Sequence, residues 1–283
     1  MAASEKKKKK KKEVKRKRKE EGNDDNDDDR MNKKEKTETN SNSNKLEGSR
    51  AEEQLRFFFD QFQAANGLQL SSIELESLKD ASSSSSILEL PQSSSSLKNT
   101  DTDLDVKMLG INIKAAFGNS WRQALYESEL GHGDGKIPPG SPSVLIISYS
   151  ALRSIHLLKG FRSITKQCSA VKLFSKHIKL EEQISLLKNR VNIASGTPSR
   201  IKKLIDIEAL GLSRLKVLLL DVHPDVKGYS LFTLPQVRDE FWDLFKNYFY
   251  QPMIKGDLRI CLYGPYQMAA HSKGKKGRPV PDK

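Results

Sequence analysis

The middle of the chain alternates between short, mostly unbroken apolar runs and longer stretches with helical spacing. Val144–Ser148, Ala170–Phe174, Val191–Ser195, Leu215–Asp221 and Leu258–Tyr263 are the runs. Strands covered by helices on both faces read this way, because neither side of the pleat meets water. Between them Ser150–Lys159, Leu180–Asn189, Pro198–Ile207 and Leu234–Tyr250 carry apolar residues three and four apart, the signature of one buried helix face. Strand–helix alternation predicts a three-layer α/β domain, with a mainly parallel sheet of about five strands and right-handed crossovers. Two further helices open it near Val106–Phe117 and Ser120–Glu129, with Trp121 and Leu125 turned inward, before the Gly/Pro-rich loop Gly131–Pro142. The domain is expected over residues 104–268.

Upstream, Leu55, Phe58, Phe59, Phe62 and Ala65 form one stripe of an amphipathic helix over 51–66, ended by Gly67. Two uses are open to it: folding back over an exposed face of the domain, or docking into a groove on a partner. Residues 67–103 hold the serine runs Ser82–Ser86 and Ser93–Ser96 and read as a linker, whose apolar pieces Ile73–Leu78 and Ile87–Leu90 are candidates for local docking. Residues 1–50 have almost no apolar side chains and cannot offset their ordering entropy, so a disordered charged tail is expected there.

Charge sharpens this division. The chain carries a formal charge of +13, from 49 basic and 36 acidic residues. Residues 1–50 hold 18 basic against 12 acidic groups and residues 271–283 hold 5 against 1, which leaves the middle nearly balanced. Lys6–Lys12 and Lys15–Lys19 are dense enough for a nuclear localisation signal and a non-specific RNA contact, and Lys273–Arg278 repeats the chemistry in the basic tail 269–283. No apolar run approaches the roughly twenty residues of a membrane span, so no membrane association is expected. The lysine run after Met1 leaves no room for a secretory h-region. Two cysteines, Cys168 and Cys261, give neither a disulfide framework nor a metal set, so reduced, buried thiols and no metal or cofactor are expected. These features together predict a soluble intracellular protein.

In an open α/β sheet ligands meet the loops at the carboxyl ends of the strands. The third run leads into Gly196-Thr197-Pro198-Ser199-Arg200, where Gly196 suits a tight turn, Thr197 an N-cap and Pro198 the first helical position. Thr197, Ser199 and the helix-start amides could hold an anionic oxygen beside Arg200, and a merely well-capped helix is the plainer account. The fourth run ends in Asp221-Val222-His223, where an Asp suits a metal or nucleotide role or simply begins a turn. Lys172, Lys176, His177 and Lys179 lie around the end of the second run. With Arg200, Lys202 and Lys203 on the same edge they would make a basic patch, and otherwise a scattered solvated face.

In order and spacing, Ser148–Arg153, Gly196–Arg200, Asp221 and Tyr263-Gly264-Pro265 resemble the first RecA-like domain of DEAD-box RNA helicases. The resemblance implies that Thr197–Arg200, with Ser199 in place of the usual Gly, contacts an RNA backbone. Departures are equally informative. No GxxxxGK[ST] phosphate cradle precedes Val144, since Gly131–Lys136 ends in Gly-Lys-Ile, and Val222 stands where an acidic residue helps to position the attacking water. A second RecA-like domain is not expected within these residues. ATP-driven unwinding has no obvious machinery, and no enzyme activity is expected.

Val171–Lys179, with Glu182-Gln183, Leu186-Leu187 and Gly196–Lys202, resembles the Cms-type family, nucleolar proteins of the early small-subunit pre-ribosome. The resemblance implies a degenerate helicase-like assembly factor of the nucleus and nucleolus, acting in rRNA processing with ribosomal RNA precursor and pre-ribosomal assembly factors as partners. The expected RNA-binding set is Arg153, Lys176, Lys179, Thr197, Ser199, Arg200, Lys202 and Lys203, and the degenerate nucleotide position is Asp221, Val222 and His223. Two other readings stand beside it: a residual nucleotide-binding or ATP-hydrolysing enzyme using Asp221, and a protein-interaction scaffold without RNA contact.

Overall fold

A computed structural model describes residues 50–67, 86–90, 102–126, 137–165 and 170–266, all within one compact unit spanning Glu47–Lys283. The expectations for residues 1–49, most of the Ser-rich linker, Gly131–Lys136, Cys168 and the basic tail lie outside the described residues.

Five strands form one sheet: β1 (Val144–Ile147), β2 (Val171–Leu173), β3 (Ile193–Gly196), β4 (Val217–Asp221) and β5 (Arg259–Tyr263), in the order β2-β3-β1-β4-β5. Every pairing is parallel, with Val144 opposite both Ile193 and Val217 and Asp221 opposite Tyr263. Helices α4 (Ala151–Leu158), α5 (Leu180–Leu187), α6 (Pro198–Asp206) and α7 (Pro235–Leu244) make the crossovers. The expected single three-layer α/β architecture is the observed one.

Side chains on a strand alternate between faces, and both faces here are buried. Leu145, Ile147, Leu218, Leu220, Ile260 and Leu262 enter one core with Ile201 and Leu204 of α6 and Phe241, Trp242 and Leu244 of α7. Val144, Ile146, Val217, Leu219, Cys261 and Tyr263 enter the other with Leu157 and Phe161, and with Val106, Leu109 and Ile113 of α2 (Thr102–Phe117). That is why the strands read as apolar runs. Gly110 and Gly160 allow α2 to lie against the turn after α4, since a β-carbon on Gly160 would meet the Val106 carbonyl oxygen at 2.0 Å.

The helix α1 (Arg50–Asn66) lies on the first of these cores. Phe58 is fully buried against Phe232, Trp242 and Phe245, and Phe62 stacks on Tyr250 at 6.1 Å between ring centroids. Of the two uses open to this stripe, covering the domain's own core is the one observed. Ile87 forms a parallel bridge with Ile260, and Leu88 N–H donates to the Ile260 carbonyl at 2.8 Å, so this short segment pairs with the outer edge of β5.

One expected helix is interrupted. Leu234–Tyr250 is α7 followed by a π-turn, Phe245–Phe249, and then α8 (Tyr250–Ile254). Pro252 cannot donate to the carbonyl four residues back and its ring crowds the preceding turn, so the wider π register comes just before it. The remaining short helix, α3 (Trp121–Tyr126), follows a 3-10 turn at Gly118–Ser120.

Candidate functional site

The strand order decides where a ligand crevice can form. From β1 the chain crosses toward β2 on one side, and from β4 toward β5 on the other, so the carboxyl ends of β1 and β4 diverge into a crevice. Ser148 follows β1 there, and Asp221 ends β4. Ser150 caps α4, its hydroxyl accepting from Arg153 N–H at 3.3 Å, which places Arg153 in the first turn facing β4. Its Nε donates to Asp221 Oδ2 at 2.6 Å and its Nη2 to Oδ1 at 3.0 Å. His223 Nδ1 sits 2.8 Å from Asp221 Oδ1 and 2.9 Å from Arg153 Nη2.

Asp221 is fully buried, and both of its oxygens are engaged by cationic or imidazole groups of the same chain. Burial by itself would push the Arg153 pKa down, but the hydrogen bond and charge of Asp221 outweigh it and raise the pKa. Tyr263 lies against the His223 ring at 4.7 Å between centroids, and its phenol is pushed up by burial and by the Asp105 and Asp221 charges. Tyr149 is pushed up by burial and then by Asp221. A bidentate guanidinium–carboxylate pair is geometrically specific, and separating it would leave an uncompensated charge in a buried place, so Asp221 is poorly placed to take a divalent cation.

The neighbouring backbone is built around this arrangement. Gly264 has φ 127°, and a β-carbon there would meet His223 Nδ1 at 2.6 Å and its backbone nitrogen at 2.9 Å. Val222 N–H donates to the Tyr263 carbonyl at 2.9 Å, and its side chain is buried in the core that α1 covers. A carboxylate at this position would enter apolar surroundings. Thus Asp221 and His223 face the crevice while Val222 faces away from it.

The second cluster surrounds the start of α6. Thr197 occupies the N-cap position with its N–H donating to the Leu173 carbonyl at 3.0 Å, but its side chain makes no capping bond. Gly196 is a strand residue, not the tight turn expected; it is needed because a β-carbon would meet the Leu173 carbonyl oxygen at 2.0 Å. Arg200 Nη1 donates to Gln183 Oε1 at 2.7 Å and to the Ile178 carbonyl at 3.4 Å. Gln183 is buried, and its amide donates to the Lys172 and Phe174 carbonyls at 2.8 and 3.0 Å. This chain of bonds ties the loop after β2 to the first turn of α6, and Lys176 and Lys179 of that loop and Ser199 of that turn are exposed.

The expected RNA-binding residues therefore divide. Thr197, Ser199 and Arg200 open α6, Arg200 bonds to the loop that carries Lys176 and Lys179, and Lys203 is exposed one turn along α6. Lys202 instead pairs with Asp206 at 3.2 Å and Asp243 at 3.6 Å, toward α7. Arg153 belongs to the Asp221 crevice, because a half-buried guanidinium in the first turn of α4 finds a carboxylate closer than any solvent ligand. Gln183 was not assigned a role from the sequence. A polar residue on the inward stripe of Leu180, Ile184 and Leu187 is the signal that marks it.

Among the described residues no group of His, Cys, Asp or Glu could hold a metal ion, and no helix is long and apolar enough to cross a membrane.

Residues 134–263 match the CMS1 family, described as a U3-containing 90S pre-ribosomal complex subunit. Protein CMSS1 of Xenopus laevis is 36% identical over 122 residues, 42% of this chain and 44% of that protein. Protein CMS1 of Chaetomium thermophilum is 42% identical over 95 residues, 32% of this chain and 38% of that protein. The ATP-dependent RNA helicase DDX50 of Mus musculus is 33% identical over 81 residues, 29% of this chain and 11% of that protein. The chain spans less than half the length of these relatives. The yeast DEAD-box splicing factor Prp28 is similar in structure with a TM-score of 0.38 and 14% identity, over 62% of this chain and 35% of that one. Residues 134–263 match the family whose resemblance was read from the sequence, and the α/β fold with a parallel sheet of five strands expected there is the one observed.

Proposed function

With residues 134–263 matched to the CMS1 family, we propose that the protein is a non-catalytic, RNA-associated assembly factor of the small-subunit pre-ribosome, acting in rRNA processing in the nucleolus. The observation that carries the non-catalytic part is the closed Arg153–Asp221–His223 cluster. A magnesium ion at Asp221 would have to displace a bidentate guanidinium, and a displaced Arg153 would leave a positive charge beside the metal. The sequence from Pro91 to Asp101, between the β5-edge segment and α2, contains no glycine, which argues against a phosphate cradle built from backbone amides there.

The RNA-facing surface is the start of α6 with the loop after β2: Thr197, Ser199, Lys176, Lys179 and Lys203. Arg200 supports it by holding Gln183 and the loop in place. Contacts of this type go to phosphates and carry no base information. Replacing Lys176, Lys179 and Lys203 together by Gln should weaken single-stranded RNA binding alike for all sequences. The slope of log K against log salt should flatten by about 0.7 for each lost phosphate contact. Unchanged affinity and slope in that variant would remove this surface from the proposal.

A further inference from the structure

All three cation–π contacts found among the described residues lie on one surface at the amino end of the sheet, opposite the Asp221 crevice. Lys114 Nζ stands 4.2 Å from the Trp121 ring centroid, and the Arg122 guanidinium carbon 5.3 Å from it. Arg259, the first residue of β5, stacks its guanidinium on Phe117 at 4.1 Å. The two rings bracket the Gly118–Ser120 turn, whose Asn119 and Ser120 are exposed.

The platform is held from beneath. Arg190 and Arg214 donate to the Tyr126 carbonyl at 2.7 and 3.4 Å, closing the last turn of α3, and the Tyr126 hydroxyl donates to the Ile164 carbonyl. Tyr126 in turn meets the Trp121 ring edge-on at 5.6 Å. Trp121 and Phe117 are partly buried, so each ring is fixed in position and keeps some accessible surface.

Arg259 is the informative member. It is half-buried, and no ion pair joins it or Arg122 to a carboxylate among the described residues. Buried charges are normally paired, and burial pushes the Arg259 pKa down. A guanidinium lying on an aromatic face, with its edge unclaimed by acid, suits a phosphate. Aromatic rings interleaved with cations are the chemistry by which proteins hold single strands, bases stacking on rings while the cations follow the backbone.

We propose that Phe117, Trp121, Lys114, Arg122 and Arg259 form a second RNA-contacting site, a stacking platform for single-stranded RNA. A base stacks on Trp121, and Lys114 and Arg259 take the flanking phosphates. This rests on the RNA-associated reading above and adds a separate surface to it.

The test uses the full chain, a labelled oligouridylate, and two salt concentrations, because the lysine tail's contribution fades with salt faster than stacking does. At the higher salt Trp121→Ala should weaken binding roughly tenfold, and Trp121→Phe should restore most of it. RNA should quench tryptophan emission in the native protein but not in Trp121→Phe, since the other tryptophan, Trp242, is buried in the aromatic core. Lys114→Gln with Arg259→Gln leaves both rings in place and should lower both affinity and salt slope. Native affinity in that double variant, or no quenching on saturation, overturns the platform even if Trp121→Ala fails to fold. Binding lost in the Lys176/Lys179/Lys203 variant but kept in the Trp121 and Arg259 variants contradicts the platform alone. No RNA binding by the full chain overturns both readings.

Discussion

The two ends of the sheet treat their cations in opposite ways. At the carboxyl end, Arg153 is locked bidentately onto a fully buried Asp221 and shares His223 with it. At the amino end, Arg259 lies on Phe117 without an ion pair to a described carboxylate. Open α/β sheets ordinarily keep their ligand chemistry at the carboxyl end. Here Arg153, Asp221 and His223 at that crevice satisfy one another, and a fully satisfied buried polar network rigidifies the core around it. The difference teaches that location in the fold predicts where a site would be, while the partners of each charge decide whether one remains.

The largest effect should come from breaking the closed end. Asp221→Ala leaves the Arg153 guanidinium uncompensated, and removing one member of a buried pair typically costs about 3–5 kcal/mol. Urea unfolding with the native m-value would measure it, and a loss under 1 kcal/mol would mean that the pair is not structural. Gly264→Ala should cost roughly 2 kcal/mol in the same assay, since it combines a strained φ of 127° with a clash against His223.

Between the two ends, the Cys261 thiol is pushed up to about 12 by full burial on β5. A raised folded value means that its contribution is fully present below the unfolded thiol's pKa of about 9 and is lost as pH rises from there toward 12. In a Cys168→Ser background the remaining thiol should resist a thiol reagent at pH 8 and react on denaturation, and fast native reaction would contradict its burial. The smallest effect should be that of Arg259→Gln on stability, within about 0.5 kcal/mol, because its ring contact is partly kept and no ion pair to a described carboxylate is broken. A cost near that of Asp221→Ala would erase the contrast between the ends.

The strands were legible because both faces of the sheet are buried, so Val144–Ile147 and Val217–Leu220 carry no polar alternation. The stripe of α1 was legible as a helix, but periodicity does not name the surface it covers; the receiving ring cluster at Phe232, Trp242 and Phe245 lies far along the chain. The same limit governs the site. Asp221 and Arg153 were each picked out, yet their pairing spans 68 residues and depends on β1 and β4 being neighbours. Gly196 was visible as a glycine but not as a close approach to β2, and Gln183 was hidden among Leu and Ile on a helix face. Arg259 and Phe117 meet only because α2 packs across the start of β5.

The most direct test of the account is RNA binding by the full chain over a salt series, with and without magnesium–ATP. The closed Arg153–Asp221–His223 cluster predicts salt-dependent binding that magnesium–ATP leaves unchanged, and no ATP turnover. Tighter binding with magnesium–ATP, or turnover lost in Asp221→Ala, would show that the crevice opens to a nucleotide and would contradict it.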